Sequence, residues 1–395
     1  MPKKVCMLLR DLSFLEPRIF ECEAQSLIRH GYEVVIIAPR KKRFLFDIDG
    51  SPITDRFREK VFKHRGVKVV TFDKERESNK LLTDPLYQLG LKEKADVYHV
   101  YEFASLQCGK RIKKLLNARH RNLHVHLIYD SSSFITDQQL LRTVYKQKWE
   151  AMFIESLKEV DSIIAVSDSM KAWFLAIDPL LPVEVIYNSP PLATSFQIKG
   201  GEAPPLVVAH EGRLTKAALQ PIYEITDSCQ RAFDFQFKII GGLGYGETAS
   251  VPTHLERKIN NLGWVPYSAQ PSSMKDVDIG LVGLESSIHV FSMPSNLFNY
   301  LSNGIPVIVN NGSDLKKLVQ TFQCGLVINS QNPTSVEYVK GIAHLYLNKE
   351  KLREMSLNAR RAMENTFSWG HMEKRLIQVY KSFESNQTAT VYLLS

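Results

Sequence analysis

Short β-branched runs alternate along the chain with longer stretches whose apolar residues recur every three or four positions. Lys4–Leu9, Glu33–Ala38, Val67–Phe72, Asp96–Tyr101, Val125–Tyr129, Asp161–Val166 and Val183–Tyr187 read as strands. Helical stretches such as Pro17–His30 and about Thr136 to Glu159 fall between them. Runs that are apolar throughout suit strands covered on both faces, and strand–helix alternation suits a parallel sheet. Proline, glycine and small polar residues dominate Asn188 to Pro205, after which the alternation restarts. Leu206–Ala209, Gln236–Ile240, Ile279–Val282, Ile305–Val309 and Gly325–Ile328 read as the second set of strands. Two helical stretches follow Asn348, and the second carries Trp369, Leu376, Ile377, Tyr380 and Phe383 on one stripe. The expected class is α/β, with two doubly wound parallel-sheet domains. Their bounds are expected at 1–192 and 205–366, with a linker at 193–204, a terminal helix at 367–385 and a loose tail at 386–395. Two such domains place the ligand site in a cleft at the carboxyl ends of the strands.

Bulk properties narrow this picture only slightly. A chain of 395 residues is too long for one ordinary core and suits two domains. No apolar run reaches the roughly 18–20 residues that span a bilayer. The apolar run near Met1 is too short for a secretory signal, so the expected location is the cytoplasm. Cys6, Cys22, Cys108, Cys229 and Cys324 are scattered, with no C-x-x-C pair, and read as reduced thiols rather than a metal site. The net charge of +8 calls for an anionic partner: nucleic acid, lipid headgroups or a phosphorylated ligand. No helix-turn-helix, zinc or RRM-type signature supports nucleic acid. The run Arg40-Lys-Lys-Arg-Phe-Leu-Phe46 suits an anionic membrane surface, reached through Arg40, Lys41, Lys42 and Arg43. A solvated loop is the alternative.

Three loops in the second half carry candidate chemistry. Pro294 opens a helix whose face is Leu297, Phe298 and Leu301 and which Gly304 stops. A loop feeding a helix N-terminus gathers free N–H groups and the positive end of the helix dipole, which suits an anion. Gly241-Gly242-Leu-Gly-Tyr-Gly246 follows a strand, where glycines let the backbone approach a phosphate or sugar. A flexible strand-to-helix turn is the alternative. Glu211-Gly-Arg-Leu-Thr-Lys216 offers two cations after another strand. A guanidinium there can bind two oxygens of an anionic group, and a solvated surface Arg and Lys is the alternative.

The segment Ser292-Met-Pro-Ser-Asn-Leu-Phe-Asn-Tyr-Leu-Ser-Asn-Gly-Ile-Pro-Val-Ile308 resembles the P-x-K-x-F-E-Y-L-A-x-G-x-P-V-I block of GT-B glycosyltransferases, family 4-like. Gly212-Arg213-Leu214 resembles their G-R-L element, Gly263-Trp-Val-Pro-Tyr267 their G-x-V-P-Y turn, and Phe367-Ser368-Trp369 the element before a helix that crosses back to the N-terminal domain. The resemblance runs from Pro17 to about Phe383. It implies two Rossmann-like domains and transfer of a sugar from a UDP- or GDP-linked donor. It also implies retention of configuration, no metal and no cofactor. The acceptor would be a carbohydrate, a lipid-linked molecule or a protein, used at the inner face of the membrane. The resemblance assigns donor binding to Gly212, Gly242, Gly244, Val265, Pro266, Ser292, Pro294, Ser295, Asn296, Leu297 and Asn299. It assigns the diphosphate charge to Arg213, with Lys216 standing in for a second lysine where Ala217-Ala218-Leu219 falls.

Several positions depart from the pattern. Asn296 replaces the usual Lys, Asn299 the usual Glu, and Phe291 the first Glu of the family's pair. Tyr129-Asp-Ser-Ser-Ser133 resembles the Y-D-x-H-E strand end, with Ser132 at the His position; His99 and Glu102 end the preceding strand and are candidate replacements. A satisfied structural histidine is the alternative for His99. Pro17-Arg-Ile-Phe-Glu-Cys-Glu-Ala24 resembles the D-P-R-x-x-x-E-A start of the first helix, which would bring Arg18 and Glu23 to donor or acceptor. The departures leave a second class open, a catalytically silent accessory subunit that binds sugar, nucleotide or a partner transferase. A sugar-nucleotide epimerase would want cleft carboxylates that the pattern lacks.

Overall fold

The structure is a computed structural model and describes residues 3–76, 81–119, 124–133, 146–194, 196–200, 204–247, 250–284, 293–330 and 332–392. The chain forms two compact units, Met1–Tyr187 with Met372–Ser395, and Asn188–His371.

In the first unit, strands β1 (Lys4–Leu8), β2 (Glu33–Arg40), β5 (Val61–His64), β6 (Val67–Asp73), β7 (Val97–Val100), β8 (His126–Asp130), β9 (Ser162–Ala165) and β10 (Val183–Val185) form one sheet. Their order is β10-β9-β8-β7-β1-β2-β6-β5, and only the β5–β6 pair is antiparallel. A small hairpin, β3 (Leu45–Phe46) and β4 (Pro52–Ile53), lies apart from it. The seven parallel strands fall where the apolar runs predicted them. The hairpin and the edge strand β5 were not predicted. β5 reads Val-Phe-Lys-His and is exposed or half-buried throughout, so no buried run announced it. Helices cover both faces. Gly109 of the helix Phe103–Arg119 lies so close to Val100 and Leu127 that an added Cβ would come within 3.0 Å of each. On the opposite face, Phe383 of the terminal helix stacks on His126 at 4.4 Å.

In the second unit, β11 (Leu206–Arg213), β12 (Phe235–Gly242), β13 (Ile259–Asn261), β14 (Ile279–Val282), β15 (Val307–Val309) and β16 (Gly325–Val327) form a parallel sheet, ordered β13-β12-β11-β14-β15-β16. Leu206, Val208, Phe237 and Ile239 face a core completed by Ile222 and Ile225 of the helix Lys216–Gln230 and Ile342 and Leu345 of Ser335–Leu347. The other face carries the helix Ser295–Ser302, whose Tyr300 ring lies over Gly280 and whose hydroxyl donates to Ala209 O at 3.0 Å. Both units are thus doubly wound.

Two expectations about the joints change. The proline- and glycine-rich stretch read as a linker is tied to the second unit over its described residues. Ala193 N–H donates to Ser302 Oγ, Lys199 N–H to Ser356 Oγ, and Arg360 donates to Ala193 O. The terminal helix spans Trp369–Tyr392, past its expected end at 385 and into the segment expected to be loose. The helix expected from Thr136 is seen as Lys146–Leu157, with residues 134–145 outside the described ones.

Candidate functional site

Four of the singled-out loops meet at the carboxyl edge of the second unit's sheet. β11 and β12 run in register to their last residues, so Gly212 lies beside Gly241 and Arg213 beside Gly242. Gly212 has φ +108° and Gly241 φ +119°, and a Cβ on Gly241 would stand 2.2 Å from Gly212 O. Only glycine fits there. Gly241 N–H donates to Gly263 O at 2.7 Å, which brings in the Trp264–Tyr267 turn, and Trp264 Nε1 donates to Leu243 O at 2.9 Å. Asn296 Nδ2 donates to Glu211 O at 3.0 Å, joining the first turn of the helix Ser295–Ser302 to the end of β11.

Arg213 and Lys216 are exposed, and no ion pair to either is seen among the described residues. An added Cβ at Gly244 would lie 3.9 Å from the Arg213 guanidinium carbon, so that cation leans over the glycine loop. Val265 is half-buried and Pro266 exposed. Pro294, extended at φ −68° and ψ 140°, caps its helix without a side-chain hydrogen bond, and Ser295 is exposed. Leu297 is corrected as a ligand contact. Its side chain is fully buried and its N–H donates to Pro294 O at 3.2 Å. Ser292, assigned to donor binding, lies outside the described residues, as does Phe291.

Glu211 was not among the predicted site residues. Asn299 Nδ2 donates to its Oε2 at 3.2 Å and Gln270 Nε2 to its Oε1 at 3.4 Å. It is 6% exposed, and burial pushes its carboxyl up to about 7, with the Asn299 bond pulling the other way. The signal that could have found it is strand period. Had β11 been extended to Arg213, Glu211 would have fallen on the face of Val207 and Ala209, towards the helix of Asn299.

In the first unit the predicted residues serve the fold. His99 is fully buried, its Nδ1 lies 2.8 Å from Tyr380 OH, and its ring stacks on Tyr101 at 4.7 Å. Burial lowers its pKa to about 4, against the pull of Asp130. Of the two readings of His99, candidate replacement and satisfied structural histidine, its burial and its Tyr380 partner favour the structural one. Glu102 is corrected likewise: its carboxylate accepts from the backbone N–H groups of Arg10, Asp11 and Leu12 at 3.1–3.3 Å and from Ser105 Oγ at 2.6 Å. Ser132 is half-buried and its N–H donates to Asp130 Oδ1 at 2.8 Å. Arg18 and Glu23, expected near a ligand, are instead interior. The Arg18 guanidinium reaches Asp130 at 2.8 Å and Glu23 at 3.1 Å, while Tyr101 OH donates to Glu23 at 2.6 Å. Burial raises Glu23 well above the usual carboxylate range, and Arg18 holds Asp130 below it despite burial. Glu23, His99 and Asp130 lie close enough to hold a metal, but the Arg18 cation already bonds both carboxylates.

Arg40 is corrected too. It is buried, donating to Thr71 Oγ1 at 2.7 Å and to the carbonyls of Arg43, Phe57 and Glu59. Lys41, Lys42, Arg43 and Phe44 remain exposed.

A glycine-walled sheet edge beside a helix N-terminus, in a chain of two doubly wound units, defines the GT-B class of fold. Residues 22–191 match the model of Glycosyltransferase Family 4, and residues 220–378 match that described as Glycosyl transferase-like. The chain belongs to the GT-B glycosyltransferases, family 4-like. Among solved structures it is similar to sucrose-phosphate synthase from Thermosynechococcus elongatus, at TM-score 0.71 and 12% identity over 97% of this chain and 100% of that one. It is also similar to HepE of Anabaena in complex with UDP-glucose, at TM-score 0.69 and 15% identity over 96% and 99%. A curated relative, YtcC of Bacillus subtilis (strain 168), carries a provisional glycosyltransferase name and is 33% identical over 85 residues, 22% of this chain. The match spans about a fifth (21%) of that relative's length. No described helix is long and apolar enough to cross a membrane.

Proposed function

We propose that the chain transfers a hexose from a nucleotide-diphosphate sugar to an acceptor, with the donor on the second unit. The observation that carries this reading is the convergence of Gly212–Arg213, the Gly241–Gly246 loop, the Gly263 turn and the Pro294 helix on one sheet edge. Glycines admit the diphosphate to the backbone, and Arg213, Lys216 and the helix N-terminus supply positive charge as the diphosphate leaves. The similar HepE fold binds UDP and UDP-glucose, which supports a UDP-linked donor, with GDP the other base class. Cations in this position are the reason for proposing a metal-free transfer needing no cofactor, and the family 4 resemblance is the reason for proposing retention of configuration. Carbohydrate, lipid-linked and protein acceptors are the classes to try. Work at the cytoplasmic face of an anionic membrane, through Lys41, Lys42 and Arg43, belongs to the same reading.

A second reading, a silent accessory subunit, draws support from the first unit, where His99 and Glu102 are committed to internal partners. Donor hydrolysis and sugar transfer by the purified full chain, with a panel of UDP-, GDP-, ADP- and dTDP-sugars and with EDTA present, separates the two. Transfer in EDTA with α-configured product from an α-linked donor supports the first reading. Binding without turnover for every donor and acceptor supports the second. Turnover abolished by EDTA and restored by Mg²⁺ or Mn²⁺ overturns the metal-free assignment.

A further inference from the structure

Glu211 presents a cost that packing alone does not explain. It sits at the carboxyl end of β11, next to Gly212, and is 6% exposed. No cation bonds it among the described residues; its side-chain neighbours are the amides of Asn299 and Gln270. Burying a carboxyl against amides alone is expensive, and an apolar residue would serve a purely structural role better. Each carboxylate oxygen has two lone-pair directions, and each receives one amide N–H here, so one direction per oxygen remains. Asn296, pinned to Glu211 O through Nδ2, keeps its own Oδ1 buried with no partner among the described residues. Unused acceptors are therefore concentrated where the glycine loops meet. The helix position whose pattern resembles a Glu-bearing block holds Asn299, and its amide points at Glu211. Where the resembled block carries a carboxylate, this chain carries an amide that is hydrogen-bonded to a carboxylate on β11.

We propose that Glu211 is the ligand-binding carboxylate of the second unit, accepting hydrogen bonds from a vicinal pair of hydroxyls on the bound nucleotide sugar while Asn299 and Gln270 hold it in place. This rests on the reading of the unit as a nucleotide-sugar site. The two free lone-pair directions lie on adjacent oxygens of one planar group, which matches the spacing of a diol. Such a diol exists on the ribose and on the transferred sugar, and the test separates them.

The experiment is calorimetric binding to the full chain at pH 8, where Glu211 is ionised. The probes are UDP, GDP, their 2′-deoxy counterparts, UDP-glucose and UDP-2-deoxyglucose. Wild type should bind at least one hydroxylated ligand about tenfold more tightly than its deoxy counterpart. Weaker binding of the 2′-deoxy nucleotides assigns the ribose, and weaker binding only of UDP-2-deoxyglucose assigns the sugar. Glu211→Gln should bind the preferred ligand about tenfold more weakly and no longer distinguish the deoxy form. Asn299→Glu alone sets two carboxylates in contact and should also weaken binding. The double variant Glu211→Gln/Asn299→Glu should regain both affinity and the hydroxyl preference, a rescue that a merely structural role would not produce. Wild-type affinity in Glu211→Gln overturns the proposal and leaves the nucleotide site standing. Should that variant fail to fold, equal affinity of the wild type for every ligand and its deoxy counterpart overturns it. A wild type that binds none of the probes removes the nucleotide-sugar reading and this proposal together.

Discussion

The carboxyl edges of the two sheets are built alike and left in opposite states. In the first unit, Arg18, Glu23, Asp130 and Tyr101 close on one another, His99 meets Tyr380, and Glu102 takes three backbone N–H groups. In the second, Arg213 and Lys216 are exposed without an ion pair among the described residues, glycines leave the backbone bare, and Glu211 has only amides for company. Charged residues at a strand end therefore mean different things in the two units. Satisfied in the interior they hold a fold together; left uncommitted at an edge they are free for a ligand.

The comparison breaks most visibly at the two arginines. Arg18→Ala should cost about 3–5 kcal/mol, because it strands two buried carboxyls. Hydrogen exchange should show that loss in the first unit. Arg213→Ala should leave stability within roughly 0.5 kcal/mol, as an exposed side chain usually does. It should still lower sugar transfer about a hundredfold or more, the usual effect of removing one fixed charge stabiliser. Unchanged turnover in Arg213→Ala would erase the functional half of the contrast.

A pH series sharpens it further. The folded chain keeps a proton on Glu211 up to about pH 7, whereas an ordinary glutamate releases it near 4.5. Folding therefore takes up a proton between those values, and stability falls as pH rises through that window. Asn299 and Gln270 bond the carboxyl and Tyr300 lies near it, and none of them carries charge there. Wild type should lose up to about 3 kcal/mol between pH 4.5 and 7 relative to Glu211→Gln, from the shift in pKa. Denaturant melts of both proteins across that range check it, and parallel pH curves would refute the burial of the carboxyl.

A further, salt-screened effect is expected at the basic loop. Replacing Lys41, Lys42 and Arg43 by serine should weaken co-sedimentation with anionic vesicles by about 1 kcal/mol per cation, with salt doing the same to wild type. Arg40→Ser should instead destabilise the first unit, since its guanidinium is tied to Thr71 and to Phe57 O. Equal binding to neutral vesicles would dismiss the electrostatic contact.

The strands were legible because apolar runs such as Val34–Ala38 and Leu206–Ala209 fill positions covered on both faces. β5 was not legible, because an edge strand needs no such run. The donor-side loops were legible through their glycines: positive φ and close approach leave few other residues possible. Burial of a polar side chain was the part that sequence withheld. Arg18, Arg40 and Glu102 read as ligand or surface chemistry, and His99 reads as either chemistry or structure, because a polar residue carries no mark of the partner that will enclose it. Glu211 was overlooked because β11 was ended at Ala209, and its face was therefore never assigned.

The second unit is one continuous stretch of chain, Asn188–His371, whereas the first is assembled from both ends. The His99–Tyr380 bond joins residues 281 apart in sequence. During synthesis the first unit must wait, with His99 and His126 uncovered, until residues 372–383 leave the ribosome, while the second can close as soon as its own stretch has emerged. The half that is made first is therefore finished last, and its exposed apolar face is what a chaperone would meet in the interval.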